Sequence, residues 1–127
     1  FYICIADIDY FKQINDQYGH DIGDQVLQQL AHIFRNASSK HITFGRWGGE
    51  EFLILFEDTT NQQATEHCEK LKALIQSSKL SDKHLTISLS FGVSQYQPQD
   101  TINSLLKRTD DSLYSAKARG RNCVVAL

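Results

Sequence analysis

Two periods organise the apolar positions of this chain. Phe1 to Ala6 (FYICIA) is an unbroken apolar, β-prone run, the pattern of a strand buried on both faces. Asp7-Ile8-Asp9 closes it. From Tyr10 the period lengthens: Phe11, Ile14 and Tyr18 share one side of a short helix, and Gly19 is a natural stop. His20 to Gly23 reads as a polar turn into a second helix, whose apolar face is Val26, Leu27, Leu30, Ala31 and Phe34. After a loop at Ser38 to His41, Ile42 to Trp47 and Glu50 to Phe56 read as two strands. Gly48-Gly49 joins them as a hairpin turn that calls for positive φ. Asn61 to Ser77 is an amphipathic helix carrying Ala64, Cys68, Leu71, Leu74 and Ile75. Leu85, Ile87, Leu89 and Phe91 alternate with Thr86, Ser88 and Ser90, which predicts a half-buried strand. Thr101 to Ala118 is a last helix with Ile102, Leu105, Leu106, Leu113 and Ala116 inward. Cys123 to Leu127 is a final strand.

The order β-α-α-β-β-α-β-α-β predicts an α/β fold: a mixed central sheet with flanking helices and a ferredoxin-like βαββαβ core. At 127 residues the chain is one domain, long enough to bury a core without disulfides or metal. An apolar share of 41% and a charged share of 22% are ordinary globular usage and argue against intrinsic disorder. A formal charge of -2 argues against a general nucleic-acid binder, so no nucleic-acid polymer is expected as a partner. The longest apolar runs fall short of a membrane span, and Phe1 opens no charged-then-apolar leader. Cys4, Cys68 and Cys123 each sit in an apolar pattern, which predicts reduced core thiols and a cytoplasmic setting. There is no C-x-x-C and no ligand spacing among the five histidines, which argues against zinc.

The chemistry lies in acids at strand ends. Asp7 and Asp9 end the first strand, and Glu50 and Glu51 begin the strand after the hairpin. In a ferredoxin-like sheet those strands are antiparallel neighbours, so Asp7 and Glu50 converge at one edge. Converging carboxylates repel unless a cation joins them. Hard oxygen ligands without His or Cys favour Mg²⁺ or Mn²⁺, and such an ion held by few carboxylates awaits substrate phosphates. Lys12 and the segment Lys117-Ala118-Arg119-Gly120-Arg121 supply cations for a polyphosphate. The plainer alternatives are solvated strand-end acids, a simple Gly-Gly turn, and cations that complement a helix dipole.

These residues carry a resemblance. Gly48-Gly49-Glu50-Glu51-Phe52 is the GGEEF form of the signature of GGDEF-domain diguanylate cyclases. The stretches DIDYFKQIND (from Asp7), YGHDIGD (from Tyr18), GRWGGEEF (from Gly45), SFGVS (from Ser90) and LLKRTDDSLYSAKARGRN (from Leu105) fit as well, in order along residues 1–127. The resemblance implies condensation of two GTP into cyclic di-GMP with release of two pyrophosphates. The 3′-hydroxyl of each GTP attacks the α-phosphate of the other across a homodimer. It further implies two metal ions per site, Mg²⁺ or Mn²⁺, held by Asp7, Glu50 and the backbone carbonyl of Ile8. Glu50 is implied as base for the 3′-hydroxyl, with Glu51 in support. Asn15 and Asp24 are implied as guanine readers and His20 as a substrate-site residue. Lys12, Lys117 and Arg121 match phosphate contacts, and Gly48 and Gly49 match a backbone that closes over the phosphates.

Three departures stand out. The inhibitory R-x-x-D positions are Ser39, Lys40, His41 and Ile42; Trp47 replaces the commoner Tyr; and the family's helical segment with its L-T-G-L-x-N-R motif does not precede the first strand. The expected unit is therefore a GGDEF domain over residues 1–127 without its first helical segment, attached in its parent protein to an upstream sensory or regulatory domain. The parent is expected to be cytoplasmic or to present this domain on the cytoplasmic side. The alternative is a non-catalytic GTP-binding or dimerisation module.

Overall fold

A computed structural model describes residues 1–126. The elements are β1 (Tyr2–Ile8), α1 (Phe11–Tyr18), α2 (His20–Asn36), β2 (Ile42–Gly48), β3 (Glu51–Phe56), α3 (Asn61–Gln76), β4 (Leu89–Gln95), α4 (Ile102–Ala118) and β5 (Val124–Ala126). They form one five-stranded sheet in the order β2-β3-β1-β4-β5. β1 is antiparallel to both neighbours, while β5 runs parallel to β4, so the sheet is mixed. The first four strands have the order of the ferredoxin-like core. Leu127, placed by its pattern in the last strand, lies outside the described residues. Among the described residues no helix is long and apolar enough to cross a membrane.

β1 is central and buried throughout, as its continuous apolar run requires. Its alternate residues Tyr2, Cys4, Ala6 and Ile8 join the core under α2 and α3, with Phe52, Ile54, Phe56, Phe91 and Val93 from its neighbours. Phe34 of α2 stacks on Phe52 at 4.7 Å and on Phe44 at 5.7 Å. The opposite face lies against α4. Gly92 is where α4 comes closest: a Cβ there would stand 2.4 Å from the backbone nitrogen of Leu113. Cys4 and Cys68 are fully buried free thiols, while Cys123 is only partly buried.

Several boundaries differ from the sequence pattern. Asp7 and Ile8 extend β1 rather than ending it. His20 to Gly23 is not a turn but the first turn of α2, because Gly23 N–H already donates to Gly19 O at 3.2 Å. Gly19 makes the break alone, at φ +90°. β4 begins at Leu89, not Leu85, and is buried on both faces. Leu85 instead bonds back to Leu80 (N···O 2.8 Å and 2.9 Å), and α4 covers the serine side of the strand. Ile102 is 78% exposed rather than inward. Arg108, a turn and a half further along α4, already reaches Gln95 O at the end of β4, so the first turn overhangs the sheet. Leu74 is also exposed.

Capping fixes where α3 and α4 start. Thr60 and Gln63, and Thr101 and Ser104, form reciprocal capping boxes. Asp100, just before α4, and Arg108 make a paired contact at 2.9 and 2.6 Å, Arg108 also donates to Gln95 O of β4, and the guanidinium holds Asp100 well below the usual carboxylate range.

Candidate active site

The sheet register brings the acids together. Asp7 of β1 stands opposite Glu51 of β3, and Ile8 N–H donates to Glu50 O at 3.2 Å. The predicted convergence of Asp7 and Glu50 is thus built by an antiparallel pair. α4 adds Lys117 from its last turn, whose ammonium donates to Asp7 Oδ2. Asp7 is 6% exposed, and its Oδ1 is buried without a hydrogen-bond partner.

Burial pushes the Asp7 carboxyl above its ordinary range; Lys117 pulls it down, and Glu50 and Asp9 push it up further. Glu51 is also raised, first by burial and then by Asp7 and Asp110. A buried acid with an orphaned oxygen and a partly buried one beside it, both held against their charge, fit a hard cation. Among the described residues no cluster of three acidic, His or Cys side chains encloses such an ion. The remaining oxygens would come from backbone and substrate, as Mg²⁺ chemistry allows.

Beside these acids opens a cleft of about 280 Å³, lined among others by Asp7, Ile8, Lys12, Glu50, Lys117 and Arg121. Three cations from two distant segments therefore share a cleft with three of the four strand-end acids, Asp7, Asp9 and Glu50. Sequence reasoning missed three further lining residues, Tyr10, Phe11 and Gln13, and gave the strand-end acid Asp9, which also lines the cleft, no role of its own. Tyr10 caps α1 in the left-handed region (φ 59°), and the Arg121 guanidinium lies 4.7 Å from its ring centroid. The patterned Ser88 and Ser90 were the available signal for Asp9, whose carboxylate they bind.

Other predicted residues lie outside this cleft. Asp24 lines a separate cleft of about 440 Å³ between α2 and β2, with Phe44, Arg46 and Phe52. Its side chain is exposed in the helix interior, so it does not start the helix. Asn15 is half-buried, its Oδ1 without a partner, and lies where a Cβ on Gly23 would come within 1.9 Å of it. His20 is exposed at the start of α2. Gly48 and Gly49 do not adopt positive φ, which corrects the turn requirement. A Cβ at either would meet nothing within 4 Å, so neither the turn nor local packing demands glycine there. Arg46 secures the turn instead, donating to Gly49 O through Nε at 3.1 Å and Nη2 at 2.6 Å.

Residues 1–123 match the family described as diguanylate cyclase, GGDEF domain. A diguanylate cyclase of Vibrio cholerae is 42% identical over 121 residues, covering 94% of this chain and 38% of that protein. The chain spans between 27% and 38% of the length of curated relatives such as this one and the Escherichia coli diguanylate cyclase DosC. The active GGEEF domain of a Vibrio cholerae diguanylate cyclase superposes with a TM-score of 0.88 at 39% identity, covering 98% of this chain and 81% of that one. The diguanylate cyclase SiaD of Pseudomonas aeruginosa, solved with its activator SiaC, gives 0.94 at 33% identity, covering 99% and 49%.

Proposed function

The chain belongs to the GGDEF-domain family of diguanylate cyclases, and from that membership we propose that it condenses two GTP into cyclic di-GMP and two pyrophosphates. The observation that carries the reading is the cleft at the end of β1, where Asp7 and Glu50 meet Lys12, Lys117 and Arg121. Phosphoryl transfer is chiefly positioning and charge neutralisation, and this cleft offers both.

Family membership implies a divalent metal. Asp7, Glu50 and the Ile8 carbonyl would hold it, as two Mg²⁺ or Mn²⁺ per site. When bound, it offsets charge on the phosphate oxygens and lowers the pKa of a coordinated hydroxyl. Glu50 takes the proton of the 3′-hydroxyl, with Glu51 supporting its position. Lys12, Lys117 and Arg121 hold the phosphates. Asn15 and Asp24 read guanine: a carboxylate accepts from N1–H and N2–H, both of which adenine lacks. His20 borders the substrate. The open space over Gly48 and Gly49 admits a nucleotide against the backbone. One chain binds one GTP, so two chains face each other as a homodimer.

Glu50→Gln tests the reading. The change is nearly isosteric and removes the base and one negative charge. Synthesis of cyclic di-GMP from GTP and Mg²⁺, followed by chromatography, should fall by at least about 100-fold with the melting temperature unchanged. Full turnover by that variant removes Glu50 from the mechanism. A wild-type chain that binds GTP and makes no product is instead a GTP-binding module.

A further inference from the structure

Asp7 and Asp9 stand two residues apart and have opposite fates. Asp7 keeps an unpartnered oxygen. Asp9 is 5% exposed, and both its oxygens are occupied. Oδ1 accepts from Ser90 Oγ at 2.6 Å; Oδ2 accepts from Ser88 Oγ at 2.6 Å and from the backbone N–H of Asn122 at 3.0 Å. Three of the roughly four lone-pair sites of that carboxylate are thus taken, which makes it a poorer cation ligand than Asp7. Its third donor joins it to the segment that carries Arg121.

That segment is conformationally demanding. Gly120, Arg121 and Asn122 have φ of 108°, 66° and 49°, three successive residues in the left-handed region. Side chains other than glycine persist there only where neighbouring contacts over-determine the backbone. Arg121 N–H donates to Ala116 O at 3.1 Å, and Cys123 O accepts from Phe91 N–H at 2.9 Å. Between these anchors lies Asn122 N–H, held by the Asp9 carboxylate in a charge-assisted bond. On the other side, Asp9 is bonded covalently to Tyr10, whose left-handed backbone presents the ring beneath the Arg121 guanidinium. Asp9 therefore touches both halves of the stack that places Arg121 at the cleft.

We propose that Asp9 is a positioning residue: it acts through the Asn122 backbone and Tyr10 to aim Arg121 at the triphosphate. The inference rests on the reading of the cleft as a GTP site. It assigns Asp9 to Arg121 rather than to a metal.

A double-mutant cycle tests it. Dissociation constants of GTP and GMP are measured for the wild-type chain, Asp9→Ala, Arg121→Ala and the double variant, with melting curves for each. Asp9→Ala and Arg121→Ala should each weaken GTP about tenfold and GMP less than about twofold, since the lost contact is charge-assisted and lies on the outer phosphates. The double variant should bind GTP no more weakly than Arg121→Ala alone. Multiplicative losses, or equal losses for GTP and GMP, overturn the proposal. If Asp9→Ala does not fold, Asp9→Asn takes its place in the same cycle; it keeps one acceptor, and its smaller loss must likewise vanish in the Arg121→Ala background. GTP binding without synthesis rejects the cyclase reading and leaves this role to the cycle. A wild-type chain that binds no GTP overturns both.

Discussion

Asp7 carries its charge against its surroundings. Burial raises its pKa in the folded state, and Lys117 only partly offsets this. The folded chain therefore binds a proton more tightly than the unfolded one. As pH rises from the unfolded value through the raised folded value, stability falls, and the loss is complete above that window. Asp7→Asn should accordingly raise the melting temperature of the metal-free chain at pH 7 and leave it little changed near pH 3. A lower melting temperature at pH 7 would show that the Lys117 contact outweighs burial. The same substitution should abolish synthesis, a conflict between stability and activity common at such sites. Asp24 is the opposite case. A turn over His20 to Gly23 would put it at the start of the helix, where its carboxylate could cap. It lies in the interior of α2 instead, exposed, so no cap is lost with it. Asp24→Ala should change stability by no more than about 0.5 kcal/mol in urea denaturation. Its GTP dissociation constant should rise roughly ten- to hundredfold by calorimetry. Unchanged affinity would remove Asp24 from guanine recognition.

Among the elements, α4 does most to place the site. It supplies Lys117, and it lies directly on β4 at Gly92. There a Cβ would meet backbone atoms at 2.4, 2.7 and 2.9 Å, which no side-chain rotation relieves. Gly92→Ala should cost about 2 kcal/mol or more, read by denaturant unfolding. It should also lower activity, because α4 must lift Lys117 away from Asp7. Loss of stability within experimental error would mean that the helix shifts freely over the sheet. The alternating pattern of Leu85 to Phe91 suggested one solvated face. The small residues Ser90, Gly92 and Ser94 are instead the signature of a helix packed close, which alternation alone does not distinguish from exposure.

For the whole molecule, the proposed reaction gives each chain one nucleoside triphosphate while the product joins two. The homodimer reading therefore makes activity depend on encounter. Initial rate per chain should rise with chain concentration and level off once dimers dominate. A rate per chain that stays constant on dilution well below micromolar concentration would reject the dimer as the catalytic unit. The cleft of one chain is built from acids of β1 and the β2–β3 turn and cations of α1 and the end of α4. None of these four segments forms the site alone.

Local sequence determined much of this protein. Period, caps and glycine stops set the kind and order of the elements, because steric and hydrogen-bonding preferences act over a few residues. The order of strands then implied an antiparallel β1–β3 pair, and with it the meeting of Asp7 and Glu50. The signature stretches named the same acids. What only tertiary structure decided was the fate of each side chain once the segments met. Asp7 is held by Lys117, 110 positions away; Asp9 is taken by Ser88 and Ser90, 79 and 81 positions away, and by Asn122, 113 positions away. Two acids in one tripeptide look alike in sequence. They differ because burial and hydrogen bonding depend on which distant donors the fold brings to each, and no local pattern records that.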